Sequence, residues 1–257
     1  MIKKIISAVV TVVLSTAIVS LSCLAEGDHI KLDHAPIKPH DQESLQRGAA
    51  LFINYCLNCH SANYMRYNRL RDIGLNEKEI LDNFVAPFTG GKVGDLMKNN
   101  MSPAESKVWF GAPPPDLTVI ARARSSEAGS GADWLYTYLR TFYRDGARPT
   151  GWNNTTFPNV GMPHVLWELQ GEQEMKPTKM RADGYDATVD KPALAKPGKL
   201  NPVQYNEAVA DLVNYMAYMA EPAGQTRKSI GIVVLVFLSL LIALTYALKK
   251  NFWKDVH

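Results

Sequence analysis

The sequence predicts an all-α domain with long loop insertions, followed by one C-terminal transmembrane helix. Three observations carry that prediction. Leu45, Ala49, Phe52, Cys56 and Cys59 recur at steps of four and three, the apolar stripe of a helix. Val209, Leu212, Val213, Met216 and Met219 repeat that spacing behind an Asn201-Pro202 start. Ile230–Leu248 carries no charge at all over about five helical turns.

The two ends of the chain account for much of its apolar content. Lys3-Lys4, the apolar run Ile5–Leu21 and Cys23-Leu24-Ala25 before Glu26 have the order of a secretory signal peptide over residues 1–25. An uncleaved anchor is the alternative, because the apolar run is slightly long. Ser20 stands where lipid attachment at Cys23 would want an apolar residue, so Cys23 is expected to leave with the signal. At the other end, residues 230–248 span roughly 29 Å as a helix, the thickness of a hydrocarbon core of about 30 Å. A buried core helix would show a polar face over that length. Lys249, Lys250, Trp253 and Lys254 supply interfacial anchors. The organisation read from this is 1–25 signal, 26–228 exported domain, 229–248 membrane span and 249–257 cytoplasmic tail.

The 257 residues have a formal charge of +3, which hides an uneven distribution. Seven of the 28 basic residues flank the apolar runs and only Asp255 of the 25 acidic ones does, leaving residues 26–226 with 24 acidic against 21 basic. A basic nucleic-acid face is disfavoured, and membrane insertion explains the positive ends. Three cysteines, one of them in the signal segment, give no disulfide framework.

Cys56-Leu57-Asn58-Cys59-His60 is a C-x-x-C-H motif, the signature of covalent c-type haem attachment. Cysteines at i and i+3 share a helix face, so both sulfurs can reach the two vinyl groups along one haem edge, with His60 positioned below the iron. Asp41 or Ser44 can cap the helix that leads in. A thioredoxin-like pair would want a preceding strand, and half a zinc site would need more ligands at suitable spacing. The expected cofactor is one haem c.

A sixth protein ligand distinguishes an electron carrier from a gas- or peroxide-binding site. Met65 is too near His60 to cross to the other face. Met216 and Met219 fit helix packing, and Met97 and Met101 flank a Lys98-Asn99-Asn100 loop that reads as exposed. Met162 lies in Phe157-Pro158-Asn159-Val160-Gly161-Met162-Pro163, where prolines stiffen the loop and Gly161 permits close backbone approach. His164, two residues on, is the other candidate, and a packing role for Met162 stays open.

Further segments add to the pattern: Arg47-Gly48 before the motif, Ser61, Tyr64 and Tyr67 after it, then Pro114-Pro115-Asp116-Leu117-Thr118 with Arg122-Ala123-Arg124. Phe157-Pro158 leads to Met162-Pro163, and Ala220-Glu221-Pro222 precedes the apolar run. In this order the chain resembles the cytochrome c1 family, the haem c subunit of quinol–cytochrome c reductase. The resemblance implies a c-type cytochrome fold in which the 201–220 helix crosses the haem-bearing helix. It implies iron ligation by His60 and Met162, Arg124 against a haem propionate and Trp134 packed near the haem. It also implies an electron-transfer subunit working with cytochrome b, a Rieske iron–sulfur subunit and a cytochrome c acceptor. That subunit would pass the bacterial inner membrane once and hold its haem domain in the periplasm. No acid–base pair is required.

Pro113–Pro115 are expected to form a rigid wall beside the haem. Segments 84–118 and 144–201, rich in Gly, Pro and Asn, read as long loops. Within the second, the acidic residues from Glu168 to Asp190 alternate with Lys176, Lys179, Arg181 and Lys191, a solvated stretch and not the acidic cluster of mitochondrial relatives. A free-standing membrane-tethered shuttle or oxidase subunit, and a haem sensor or peroxidase with an open sixth position, are the competing readings.

Overall fold

The computed structural model describes residues 31–182 and 185–254. The signal segment 1–25, with Cys23, lies outside the described residues.

Helix α1 (Gln42–Leu51) starts where Asp41 accepts the Ser44 N–H at 3.0 Å, a side-chain cap for an otherwise orphaned donor. Ser44, Leu45, Gly48 and Ala49 form its buried face. From Phe52 to Cys56 the helix widens into a π segment, and the chain then turns through the cysteine motif, with His60 N–H donating to the Cys56 carbonyl at 2.9 Å. The apolar stripe from Leu45 to Cys56 is continuous across this change, which is why spacing alone does not reveal where the hydrogen-bond ladder lengthens.

The motif is followed by strand β1 (Ala62–Arg66), paired antiparallel with the short β2 (Leu96–Met97). This pairing corrects the expectation for Met97. It is fully buried, with the Tyr215 hydroxyl 3.6 Å from its sulfur, because the ladder turns it inward behind the motif. Helix α2 (Pro103–Phe110) interrupts the loop expected over 84–118. Ser102 caps it and Pro103 opens it, local signals that the surrounding Gly, Pro and Asn content obscures.

Helix α3 (Gly131–Arg140) begins in a reciprocal capping box between Ser130 and Asp133. Asp133 also accepts the Ala35 N–H at 2.7 Å, tying the N-terminal segment to this helix. Burial alone would raise the Asp133 carboxyl, but donation from the Ser130 hydroxyl and from the Ala35 and Ser130 amides outweighs it and holds the group below the usual carboxylate range. Its contribution to stability is therefore complete above the unfolded value of about 3.9 and is lost as pH falls through the lower folded value. Hydrogen exchange at Ala35 is expected to quicken as pH falls below about 4, beyond the ordinary acid dependence. In Asp133→Asn that extra step should vanish.

Two further antiparallel ladders complete the structure: β3 (Phe142–Arg144) with β4 (Trp152–Asn154), and the long hairpin β5 (Gly171–Ala182) with β6 (Tyr185–Pro197). The domain is thus mainly helical but not all-α. The hairpin occupies the stretch expected to be a solvated loop. Glu174, Lys176, Lys179, Asp190 and Lys191 do stay exposed, but backbone pairing, which needs no apolar alternation, makes it a ladder.

Helix α4 (Pro202–Ala220) opens in a capping box between Asn201 and Gln204 with Pro202 in its first turn, and buries Val209, Leu212, Val213, Met216 and Met219. It packs across α1. Arg47 grips Asp211 through Nε at 2.6 Å and Nη2 at 3.2 Å, a bidentate pair. Buried Asn214 donates to Ser44 Oγ at 3.0 Å and exchanges hydrogen bonds with the Lys38 backbone at 2.9 and 3.1 Å. Helix α5 (Gly224–Phe252) follows. The most apolar window of its Thr226–Phe252 stretch has a mean hydropathy of 2.7, and none of that window is buried against the protein. By length and composition it can cross a membrane.

Candidate functional site

The end of the π segment, α3, α4, the Pro113–Pro115 stretch and the 157–163 loop enclose a cavity of about 270 Å³. Its wall includes Cys56, Cys59, His60, Arg124, Trp134 and Met162, so six side chains spread over more than a hundred positions converge there.

His60 is buried and its Nδ1 donates to the Pro115 carbonyl at 2.7 Å. That bond fixes the tautomer and leaves Nε2 unprotonated, able to donate its lone pair. Burial lowers the His60 pKa despite the Pro115 bond, so the ring is neutral at pH 7. The segment carrying Pro115 is itself docked onto the residues after the motif. Leu117 N–H donates to Ser61 O at 2.9 Å, and Asp116 accepts the Asn63 N–H at 2.7 Å and the Thr118 N–H at 2.9 Å. Pro115 then carries its carbonyl to His60 on a stiff strut. Asn99 braces the other side, donating to the Cys59 carbonyl and receiving the Ser61 hydroxyl at 3.0 Å.

The two thiols are unpaired. Burial pushes Cys56 up to about 12, with Cys59 beside it adding to the rise, and burial also raises Cys59. A thioredoxin-like pair needs a lowered thiol pKa, so this environment speaks against that reading. Among the described residues no group of three or more His, Cys, Asp or Glu is placed to hold a metal ion, so Cys56 and Cys59 gain no further zinc ligands there.

The Met162 loop is held from below by β4. Asn154 Oδ1 accepts the Thr156 and Phe157 N–H groups at 2.8 and 3.1 Å, and Asn153 Oδ1 accepts that of Asn159 at 2.8 Å. Arg148 clamps the Asn159 carbonyl at 2.9 Å. Gly161 passes so close to α2 that a Cβ there would lie 2.9 Å from the Phe110 carbonyl. Met162 reaches the cavity from this loop, and its sulfur accepts the Tyr138 hydroxyl at 3.3 Å. His164 does not line the cavity. It is buried in a stack on Phe142 (4.8 Å, 6°) with Trp152 edge-on at 5.1 Å, and burial drops its pKa to about 4. Met216 also touches the cavity, from within the α4 core, while Met97 and Met65 are packed elsewhere.

Arg124 lies half-buried with its guanidinium 4.5 Å above the Trp134 ring and 5.6 Å from that of Phe157. Trp134 in turn stacks on Tyr138 at 4.7 Å and 13°. Tyr138 and Pro115 are site residues that sequence reasoning missed. The signal for Tyr138 is its position four residues after Trp134, on the same helical face.

A buried and a half-buried thiol at C-x-x-C spacing, a histidine with a free Nε2 and a thioether around one apolar cavity match the donor types that a c-type cytochrome uses. The residues present fit a covalently held haem. Comparison with known families agrees: the Cytochrome C1 family matches residues 33–194 and 200–256. The cytochrome c1 of Allochromatium vinosum is 44% identical over 256 residues, covering 99% of this chain and 100% of that protein. A Nitrosomonas europaea protein named ammonia monooxygenase gamma subunit is 50% identical over 233 residues, 91% of this chain and 92% of its own length. The cytochrome b/c1 of Bradyrhizobium diazoefficiens is 26% identical over 258 residues, 86% of this chain but 34% of that longer protein. The names of these relatives differ, and the family match over most of the chain decides the assignment. The chain belongs to the Cytochrome C1 family, membrane-anchored c-type cytochromes that serve as electron-transfer subunits of the bc1 complex.

Proposed function

We propose that this chain holds one haem c in the cavity and passes single electrons from a Rieske iron–sulfur subunit to a cytochrome c acceptor. It would do so beside a cytochrome b, in a quinol-oxidising complex of the bacterial inner membrane. The observation that carries this reading is the convergence of His60 and the Met162 thioether on one cavity that Cys56 and Cys59 also border. When bound, haem c supplies the one-electron iron couple.

The chain's own residues do the rest. Cys56 and Cys59 would form the two thioethers, and neutral His60 would ligate through Nε2 while Pro115 holds its ring in place. Met162 would be the sixth ligand, a soft thioether that favours the reduced state and a high potential. Arg124 would meet a propionate: it borders the cavity with its guanidinium over Trp134, and its planar fork suits that anion. Trp134, beneath Arg124, would form part of the apolar wall that keeps water away. Residues 26–228 would stand in the periplasm after loss of the 1–25 signal, with 229–248 in the membrane and 249–257 in the cytoplasm. The Bradyrhizobium relative supports the cytochrome b partner, since its name joins b and c1 in one longer chain.

Purification from membranes with subunit identification and a redox spectrum tests the reading. A diheme cytochrome b and a Rieske subunit should co-purify; the chain purified without them would be a free-standing shuttle. A native reduced form that bound carbon monoxide readily would mean an open sixth position. Cys56→Ala should lose the two-thioether attachment, seen as loss or weakening of covalent haem on a denaturing gel. Retention of both thioethers would rule out Cys56.

A further inference from the structure

We propose that Tyr138 is a positioning residue that tunes the redox centre by donating its hydroxyl to the Met162 sulfur. The inference rests on Met162 being the iron ligand. A thioether sulfur has two lone pairs, so one can face the iron while the other accepts a hydrogen bond. The oxygen–sulfur separation is 3.3 Å, short for a weak acceptor such as sulfur. Tyr138 is buried, and no other acceptor is in reach of its hydroxyl among the described residues.

The ring is held from two sides. Trp134 stacks on it at 4.7 Å, and Phe142 meets it edge-on at 5.0 Å. Its own backbone carbonyl accepts Asn154 Nδ2 at 2.7 Å, and Asn154 is the residue that also gathers the start of the Met162 loop. Donor and acceptor are therefore fixed to one another through a common support. Arg124 over Trp134 closes the far end of the stack, so a cation, an indole, a phenol and a thioether form one line of contact.

Hydrogen bonding withdraws electron density from the sulfur. The oxidised iron depends on that density more than the reduced iron does, so the bond favours the reduced form and raises the potential. Removing one neutral hydrogen bond should shift the one-electron equilibrium by about threefold to tenfold, or about 30 to 60 mV at 59 mV per tenfold.

The test is Tyr138→Phe in the membrane-purified holoprotein, read by potentiometric titration and by the sulfur-to-iron charge-transfer absorption of the oxidised form. The expected result is a lowered midpoint potential with the sulfur band retained but shifted. An unchanged or raised potential would overturn the proposal, since packing alone is preserved by phenylalanine. In a double-mutant cycle with Met162→His, the effect of Tyr138→Phe should disappear; an undiminished shift would assign it to something other than the sulfur. Absence of the sulfur band from the unaltered protein would instead refute Met162 ligation itself, and the inference with it. The two failures are thus distinguishable.

Discussion

Met162→Ala is expected to open the sixth position of the iron, so that the reduced protein binds carbon monoxide stoichiometrically where the unaltered protein does not. The potential should fall at the same time, because the thioether proposed to favour reduced iron would be gone. The fold should survive. Met162 is half-buried, so truncation costs less than the 2–5 kcal/mol typical of a buried methionine, about 1–2 kcal/mol. The Tyr138 hydroxyl loses its acceptor at an added cost of about 1–3 kcal/mol unless water enters the vacated space. The loop itself remains tied by Asn153, Asn154 and Arg148, none of which touches the sulfur. Visible spectra under carbon monoxide give the answer directly. His164→Ala is the matched control. Its ring lies outside the cavity between Phe142 and Trp152, so its loss should lower stability without admitting carbon monoxide. Carbon monoxide binding by the His164 variant alone would reverse the ligand assignment.

The parts of this site that rest on local spacing were legible from the sequence. C-x-x-C-H states its own chemistry, the Asn201-Pro202 start and the apolar repeat define α4, and a charge-free run defines α5. Met162 stood out because two prolines and a glycine frame it. What remained hidden depends on contacts between distant segments. Tyr138 looks like one more apolar position of an amphipathic helix until the 157–163 loop arrives against it. Pro115 acts through a carbonyl, which every residue possesses, so no residue type could announce it. Met97 was misread because its neighbours Lys98, Asn99 and Asn100 are polar, whereas a two-residue ladder with Ala62 decides its burial. The β5–β6 hairpin escaped for a related reason: Pro177, Pro192 and charges along both strands leave no apolar alternation to read.

Gly48→Ala is expected to cost about 2 kcal/mol of stability, and with it much of the haem attachment. Gly48 lies at the crossing of α1 and α4, where a Cβ would collide with the Asp211 carbonyl oxygen, 2.7 Å from its carbon and 2.8 Å from Tyr215 Cβ. Two of those obstacles are helix backbone, which cannot rotate aside as a side chain can. Overpacking of this kind costs roughly 1–3 kcal/mol and sometimes more, while alanine returns up to about 1 kcal/mol of helix propensity. The clash wins because relieving it means moving the helices apart. That movement would break the Arg47–Asp211 pair and the hydrogen bonds joining Asn214 to Ser44 and Lys38, all on the same face. The consequence reaches the site because α1 leads directly into Cys56, while α4 supplies Met216 to the cavity wall. For a domain of this size the midpoint of thermal unfolding should drop by about 4 to 8 °C. Covalent haem per chain should fall in parallel. Gly94→Ala is the control, since a Cβ there meets nothing within 4 Å. Equal melting of the two variants would mean that the helix crossing tolerates the methyl group and that close approach at Gly48 is not what sets the position of the cysteine motif.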